Sequence, residues 1–428
     1  MSGSNSDIAS KLEKREGEEN SPEQKRMRKT EDSNGEEVLV PMQEEVTEQE
    51  QIAYYLASAL ENIGENDARA LDLIKITINE ADKLLHEFNE TEPQRFDATF
   101  YLALACALYH FSSMEYQDQP EELEFLTLAE EKINRCKEVL TEKDDIKYEA
   151  HLTHIKILLS KARIILKSKE EMEIEDEEDE KNEGENSNDK LDESAYIGEA
   201  ISLLDLLSKD YEKILSNQEG QFSNLINDYK NSIEFIQDYG DSQDFWLPRK
   251  KWNLWAKEKY EQILRIGEND MEASLGVSNC LISMTNLYLE KLSNEDEDED
   301  EEEDEEEDDE EYDPDLKAEM NNNVAMENLS QALELLKKSI ERVKQDESYN
   351  DQSLAQIYTF LIEVYINLGN LSADEKQANE YHMEAVEAVK AYKQLNCEDL
   401  LPERFEHVIE GLEADLNEDS DENENENK

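Results

Sequence analysis

The sequence predicts an all-α protein: a tetratricopeptide-like α-solenoid of about six divergent helix pairs, interrupted by acidic insertions. Three observations lead there. Glycine (12) and proline (7) are scarce for 428 residues, which argues against a turn-rich β fold and for long helices. Between the acidic segments, apolar residues recur at steps of three and four almost everywhere. The breaks in that pattern carry helix-end chemistry. Gly64, Gly220, Gly240, Gly267 and Gly369 lie just past apolar runs, and Pro93, Pro120, Pro248, Pro314 and Pro402 just before new ones.

Taken in order, the pattern predicts helices at 48–62 with 67–88, 97–112 with 120–140, and 146–167 with 194–216. It continues at 221–239 with 249–266, 270–292 with 316–345, and 352–368 with 374–395, and a last helix at 401–413 caps the array. Leu126, Ala129, Ile133, Cys136 and Leu140 show the stepping, as do Leu329, Leu333, Leu336, Ile340 and Val343. The run from Phe100 to Phe111 is apolar all round, as a helix covered on several sides requires. The last pair fits the tetratricopeptide template best, with Tyr358, Leu361, Ile362, Tyr365 and Gly369 followed by Ala378 and Ala385.

Charge sets the domain plan. The chain has 111 Asp+Glu against 43 Lys+Arg, a formal net charge of −68. Residues 295–311 are seventeen consecutive acids, and two further stretches are rich in them, 170–193 with 14 acids and 413–428 with 8. Such segments hold too little apolar material to offset ordering entropy. The plan is a disordered segment 1–46 with a basic cluster, a helical-repeat domain 47–415 with disordered acidic loops 169–193 and 293–315, and a disordered acidic tail 416–428. A surface this acidic excludes nucleic-acid binding through phosphate contacts and disfavours anionic lipid. No apolar run is long enough to span a bilayer, and the first residues lack a signal-peptide h-region. Cys106, Cys136, Cys280 and Cys397 are widely spaced in helical patterns and read as buried thiols of a reducing compartment.

Chemistry is absent from the motifs. The sequence has no phosphate-binding glycine loop, no HExxH, no nucleophile elbow and no CxxC. His151 and His154 share a helix face without an acidic ligand at suitable spacing, so they read as surface or packing histidines. The expectation is a protein that is not an enzyme, with no cofactor and no metal. Two candidate interaction sites remain. Lys25, Arg26, Arg28 and Lys29 form a compact basic cluster in a segment without apolar period, which suits recognition by an importin. Trp246, Arg249, Lys250, Lys251, Trp252 and Trp255 place aromatics beside cations, either as a partner-binding surface or as packing between repeats.

Several stretches resemble the fungal enhancer of translation termination family, which includes the fission-yeast nuclear negative regulator of an oxygen-sensing prolyl-hydroxylase-type dioxygenase. They are NEADKLLHEF (Asn79 to Phe88) with the LALACAL helix, LINDYKNSIEFIQDYG (Leu225 to Gly240), NLYLEKL (Asn286 to Leu292) and IEVYINLGNL (Ile362 to Leu371). The resemblance implies a tetratricopeptide-like fold and a nuclear location, with the cytoplasm left open. It implies a non-enzymatic scaffold that supports translation termination and regulates hypoxic gene expression. Its implied partners are a 2-oxoglutarate-dependent iron dioxygenase, ribosome- and termination-associated proteins and importin. The seventeen-acid run keeps a second class in view, the acidic tetratricopeptide-type histone chaperone.

Overall fold

The computed structural model describes residues 27–31, 37–41, 47–88, 96–117, 119–141, 146–178, 193–216, 220–243, 246–297, 321–345 and 350–395, with Leu401, Pro402, Phe405 and Gly411. For 27–31, 37–41, Pro120, 170–178, 215–216, Trp246 and 291–297 the description is of backbone alone. The chain forms two compact units, residues 1–232 and 233–428. Among the described residues are thirteen helices and one short hairpin. Consecutive helices pack as antiparallel pairs within each unit, the all-α, tetratricopeptide-like arrangement that the periodicity predicts.

The hairpin corrects one expectation. Within 1–46, where no secondary structure is expected, β1 (Met27–Glu31) pairs antiparallel with β2 (Glu37–Pro41), Met27 opposite Pro41. Thr30, Val38 and Val40 favour strands, and the intervening sequence holds Asn34-Gly35, the dipeptide that hairpin turns prefer.

The first unit begins with α1 (Glu48–Leu60), whose Thr47 and Glu50 form a reciprocal capping box. Gly64, at φ 81°, reverses the chain into α2 (Asp67–Phe88). The helix α3 (Ala98–Glu115) packs against α1, α2, α4 (Pro120–Val139) and α5 (Lys147–Glu178), which is why an all-round apolar sequence is stable there. Its core holds Phe100, Leu102 and Leu104 with Leu56, Ile74, Leu126, Ile133 and Ile157. The single helix expected at 194–216 is instead two, α6 (Glu193–Ser208) and α7 (Tyr211–Ser216). Asp210 opens the second of them, its carbonyl accepting from the Lys213 and Ile214 N–H groups at 2.8 and 3.2 Å. The helix expected from 221 begins only at Leu225, as α8 (Leu225–Asp241), because buried Glu149 takes the backbone N–H groups of Gln221 (2.7 Å) and Phe222 (2.5 Å).

The second unit contains the end of α8, then α9 (Trp246–Ile266), α10 (Met271–Glu297), α11 (Asn322–Gln345), α12 (Asp351–Leu371) and α13 (Glu375–Tyr392). Two glycines expected just past helix ends lie in the last turns of their helices. Gly369 sits in α12 against the His382 ring, and Gly240 sits in α8 against the Trp252 Cβ. Each is a close approach that no larger residue permits. Of the capping helix expected at 401–413, Phe405 and Gly411 are helical and Leu401 and Phe405 are buried, and the rest lies outside the described residues.

Both acidic insertions fall between the helices of a pair, α5 with α6 and α10 with α11. Their boundaries differ from 169–193 and 293–315, because α5 runs on to Glu178 and α10 to Glu297. Glutamate is a good helix former, so a helix already stabilised by packing continues into an acidic run. Lys169 and Glu193 form an ion pair across the base of the first insertion. Residues 298–320 and the acidic tail from 412 lie outside the described residues.

Candidate interaction surface on α9

Of the basic cluster near the start, Arg28 and Lys29 lie on β1, opposite Val40 and Leu39, while Lys25 and Arg26 lie outside the described residues. The aromatic and basic cluster is described more fully. It is carried by α9, which starts three residues earlier than expected and holds Pro248 in its first turn. Proline is tolerated there because the first N–H groups of a helix have no partner within it.

The three consecutive cations go to three environments. Arg249 forms a bidentate pair with Glu290 of α10, at 2.7 and 3.3 Å. Lys250 is buried. Lys251 is exposed, with its ammonium 4.2 Å from the centre of the Trp252 ring. Trp252 and Trp255 are half-buried, and Lys259 Nζ stands 5.6 Å from the Trp255 ring. The helical backbone places Trp246 at the start of α9, and its side chain lies outside the description.

The inner face of α9 is fixed by a polar network. Wholly buried Asn253 donates to Asp241 Oδ1 at 2.5 Å and to the Arg249 carbonyl at 3.1 Å, and it accepts from Gln237 at 3.4 Å. Ser283 of α10 donates to the other Asp241 oxygen at 3.0 Å. Burial raises the Asp241 carboxyl above its ordinary range, against the opposing pull of the Asn253 and Ser283 bonds. Tyr260 lies flat against Gly276, where an added methyl would meet the ring at 2.5 Å. This network sets the rotation of α9 and so decides which residues face outward.

The outward residues are ones the sequence reading passed over: Leu247 is 40% exposed and Leu254 46%. The only signal was their seven-residue spacing on a helix that also carries tryptophans.

His151 and His154 are brought into a charged seam. His154 is fully buried, with Nδ1 2.8 Å from Lys137 Nζ and Nε2 3.9 Å from carboxylate oxygens of both Glu130 and Glu199. Folding therefore supplies His154 with acidic neighbours from two other helices. Lys161 also pairs with Glu130, and His154 and Lys161 together hold that carboxyl down at about 2. Burial, helped by Lys137 and Lys147, lowers His151 to about 4. With two ammonium groups in the seam, no group of three His, Cys, Asp or Glu among the described residues is arranged to hold a metal ion.

No helix among the described residues is long and apolar enough to cross a membrane. No family model matches the chain, and no curated protein does. Solved structures do. The S. pombe nuclear import adaptor Nro1, in one crystal form, is 16% identical with a TM-score of 0.55, over 85% of this chain and 98% of that one. A second crystal form is 18% identical with a TM-score of 0.55, over 88% and 98%. A third structure, described as the hypoxic regulator of sterol synthesis Nro1, a nuclear import adaptor, is 16% identical at 0.54, over 85% and 92%. Over at least 85% of its length, this protein has the fold of these adaptors.

Proposed function

We propose that this chain is a non-enzymatic adaptor of the nucleus, a helical scaffold that works by binding other proteins. The observation that carries the reading is the fold shared with nuclear import adaptors over 85% of this chain and 98% of theirs. It agrees with the resemblance in NEADKLLHEF and IEVYINLGNL. On this reading the basic cluster is bound by importin. A 2-oxoglutarate-dependent dioxygenase is the principal partner, ribosome- and termination-associated proteins are others, and the adaptor supports both stop-codon fidelity and hypoxic gene expression. Neither binding step requires chemistry from the chain.

The test is a tagged pulldown from nuclear extract with a stop-codon readthrough assay. A dioxygenase and an importin in the eluate, and readthrough that rises when the gene is deleted, are the expected results. Replacing Lys25, Arg26, Arg28 and Lys29 by alanine should move a fluorescent fusion from nucleus to cytoplasm. The seventeen-acid run supports one alternative, and stoichiometric histones H3 and H4 in place of the dioxygenase would establish the chaperone reading instead.

A further inference from the structure

We infer that the outer face of α9, centred on Leu247, Lys251 and Leu254, docks an acidic amphipathic helix of a partner protein. The inference rests on the adaptor reading and names the surface and partner chemistry that reading leaves open. Seven large apolar side chains are exposed among the described residues, and three of them, Leu247, Leu254 and Ile266, are on α9. No other helix carries more than one. Leu247, Lys251 and Leu254 stand at i, i+4 and i+7, one stripe about 10 Å long at 1.5 Å per residue. The half-buried Trp255 forms a shoulder beside it.

Charge identifies the occupant. With six Lys/Arg against two Glu, α9 is the most basic of the described helices. Arg249, Lys257 and Arg265 are paired with glutamates and Lys250 and Lys259 are buried, which leaves Lys251 as the cation of the outer face. Lys251 rests on the Trp252 ring and makes no ion pair among the described residues, in a chain with 111 acids. An exposed ammonium between two exposed leucines is complementary to a carboxylate between two apolar side chains, the pattern on one face of an acidic amphipathic helix. A second copy of this chain fits poorly. Pairing two such faces about a twofold axis sets Lys251 toward Lys251.

The experiment places photoreactive benzoylphenylalanine at position 254 of the full chain in its native cells and sequences the cross-linked peptide. The expected product joins position 254 to another protein, in a segment with carboxylates beside apolar residues at three- and four-residue spacing. Lys251→Glu in the same chain should lower the yield roughly tenfold, with an unchanged helical spectrum, and Leu247→Glu should do the same. Cross-linking to residues 298–320 of this chain or to a second copy overturns the inference, as do a non-acidic partner segment, absence of any product, or indifference to Lys251→Glu. The two readings fail separately. If a partner still depends on the chain for nuclear entry while position 254 captures nothing, the adaptor reading stands and this surface falls. If position 254 captures an acidic helix while deleting the gene changes no protein's location, the surface stands and the adaptor reading falls.

Discussion

Within residues 1–232 several helices are joined by ion pairs, whereas within residues 233–428 the amides Asn253, Asn286 and Asn367 make several of the joins. The first unit pairs Lys156 with Asp228 at 3.0 Å, Arg163 with buried Glu122 at 3.0 Å, and Lys161 with Glu130, and it ties Glu149 to backbone N–H groups. The second joins Asn253 to Asp241, Asn286 to Glu363 at 2.8 Å, and Asn367 to Asn286 at 2.9 Å. Its Arg249–Glu290 ion pair lies toward the surface, with Glu290 55% exposed. A half-lost ion pair strands a charge in low dielectric, whereas Asp241 keeps its Ser283 donor when the Asn253 amide is lost. The first unit should therefore respond sharply to single charge removals and to pH, and the second mainly to packing. The three tryptophans all lie on α9, so their fluorescence reads the second unit alone while circular dichroism reads both.

The largest effect should follow Lys156→Ala. Asp228 would remain with its carboxylate largely out of water and unpaired, at a cost of about 3 kcal/mol. In urea titrations of the full chain, part of the ellipticity should be lost early while the tryptophan signal keeps its midpoint. A shift in both signals together would mean that the units do not respond separately. Next comes Ala385→Trp, at a fully buried position of α13. Overpacking there should cost about 2 kcal/mol, read as faster amide exchange in α12 and α13 with α3 unaffected.

These contrasts were only partly legible in the sequence. The helices were, because their apolar steps of three and four are forced by packing on one face. Leu329, Leu336 and Val343 are buried as that stepping requires. The partners of polar residues were not. Glu149 is one acid among 111, and nothing local distinguishes a carboxylate that will take the Gln221 and Phe222 N–H groups, 72 and 73 residues away. The same holds for the run Arg249-Lys250-Lys251. Which cation is buried and which reaches water depends on the rotation of α9, and that is set by Asn253, Asp241 and Ser283 on three different helices. Gly240 and Gly369 were read in part for a related reason: they do stand at helix ends, but the close approach of Trp252 and His382 to them has no signal in the sequence.

A smaller effect should follow Asn253→Ala. Asp241 would lose one of its two side-chain donors and Gln237 its acceptor, at about 1–2 kcal/mol. Because Asn253 holds the rotation of α9, tryptophan emission should shift to the red as Trp252 and Trp255 gain water. Unchanged emission would show that Gly240 and Gly276 alone suffice to seat the helix.

The remaining effect is the one in which the two units should part in sign. In the first unit His110 is lowered to about 3 by burial and by Lys156, and His151 to about 4 by burial and by Lys137 and Lys147. A histidine with a depressed folded pKa contributes stability above its unfolded value of 6.5, and that stability is lost as pH falls toward the folded value. Glu130, held at about 2, adds the same dependence below its unfolded value of 4.5, while Glu149, raised by burial, opposes them and leaves the two histidines to set the sign. In the second unit Asp238 is raised to about 6 by burial with Glu234 and Asp241 nearby, and Asp241 is raised as well. A carboxyl with a raised folded pKa acts oppositely: it takes up its proton more readily in the folded state, so stability is gained as pH falls through that value. Asp238 is exposed enough for water to screen it, so the gain is slight. Acidification from pH 7 to 5 should thus lower the urea midpoint of the ellipticity loss that belongs to the first unit, while the tryptophan midpoint holds or rises. Replacing His110 and His151 together by Gln should flatten the first response and leave the second as it was. If both midpoints fall in parallel in the double variant, the acid sensitivity comes from the carboxylate-rich surface as a whole, and the contrast between a charged seam and an amide seam does not control it.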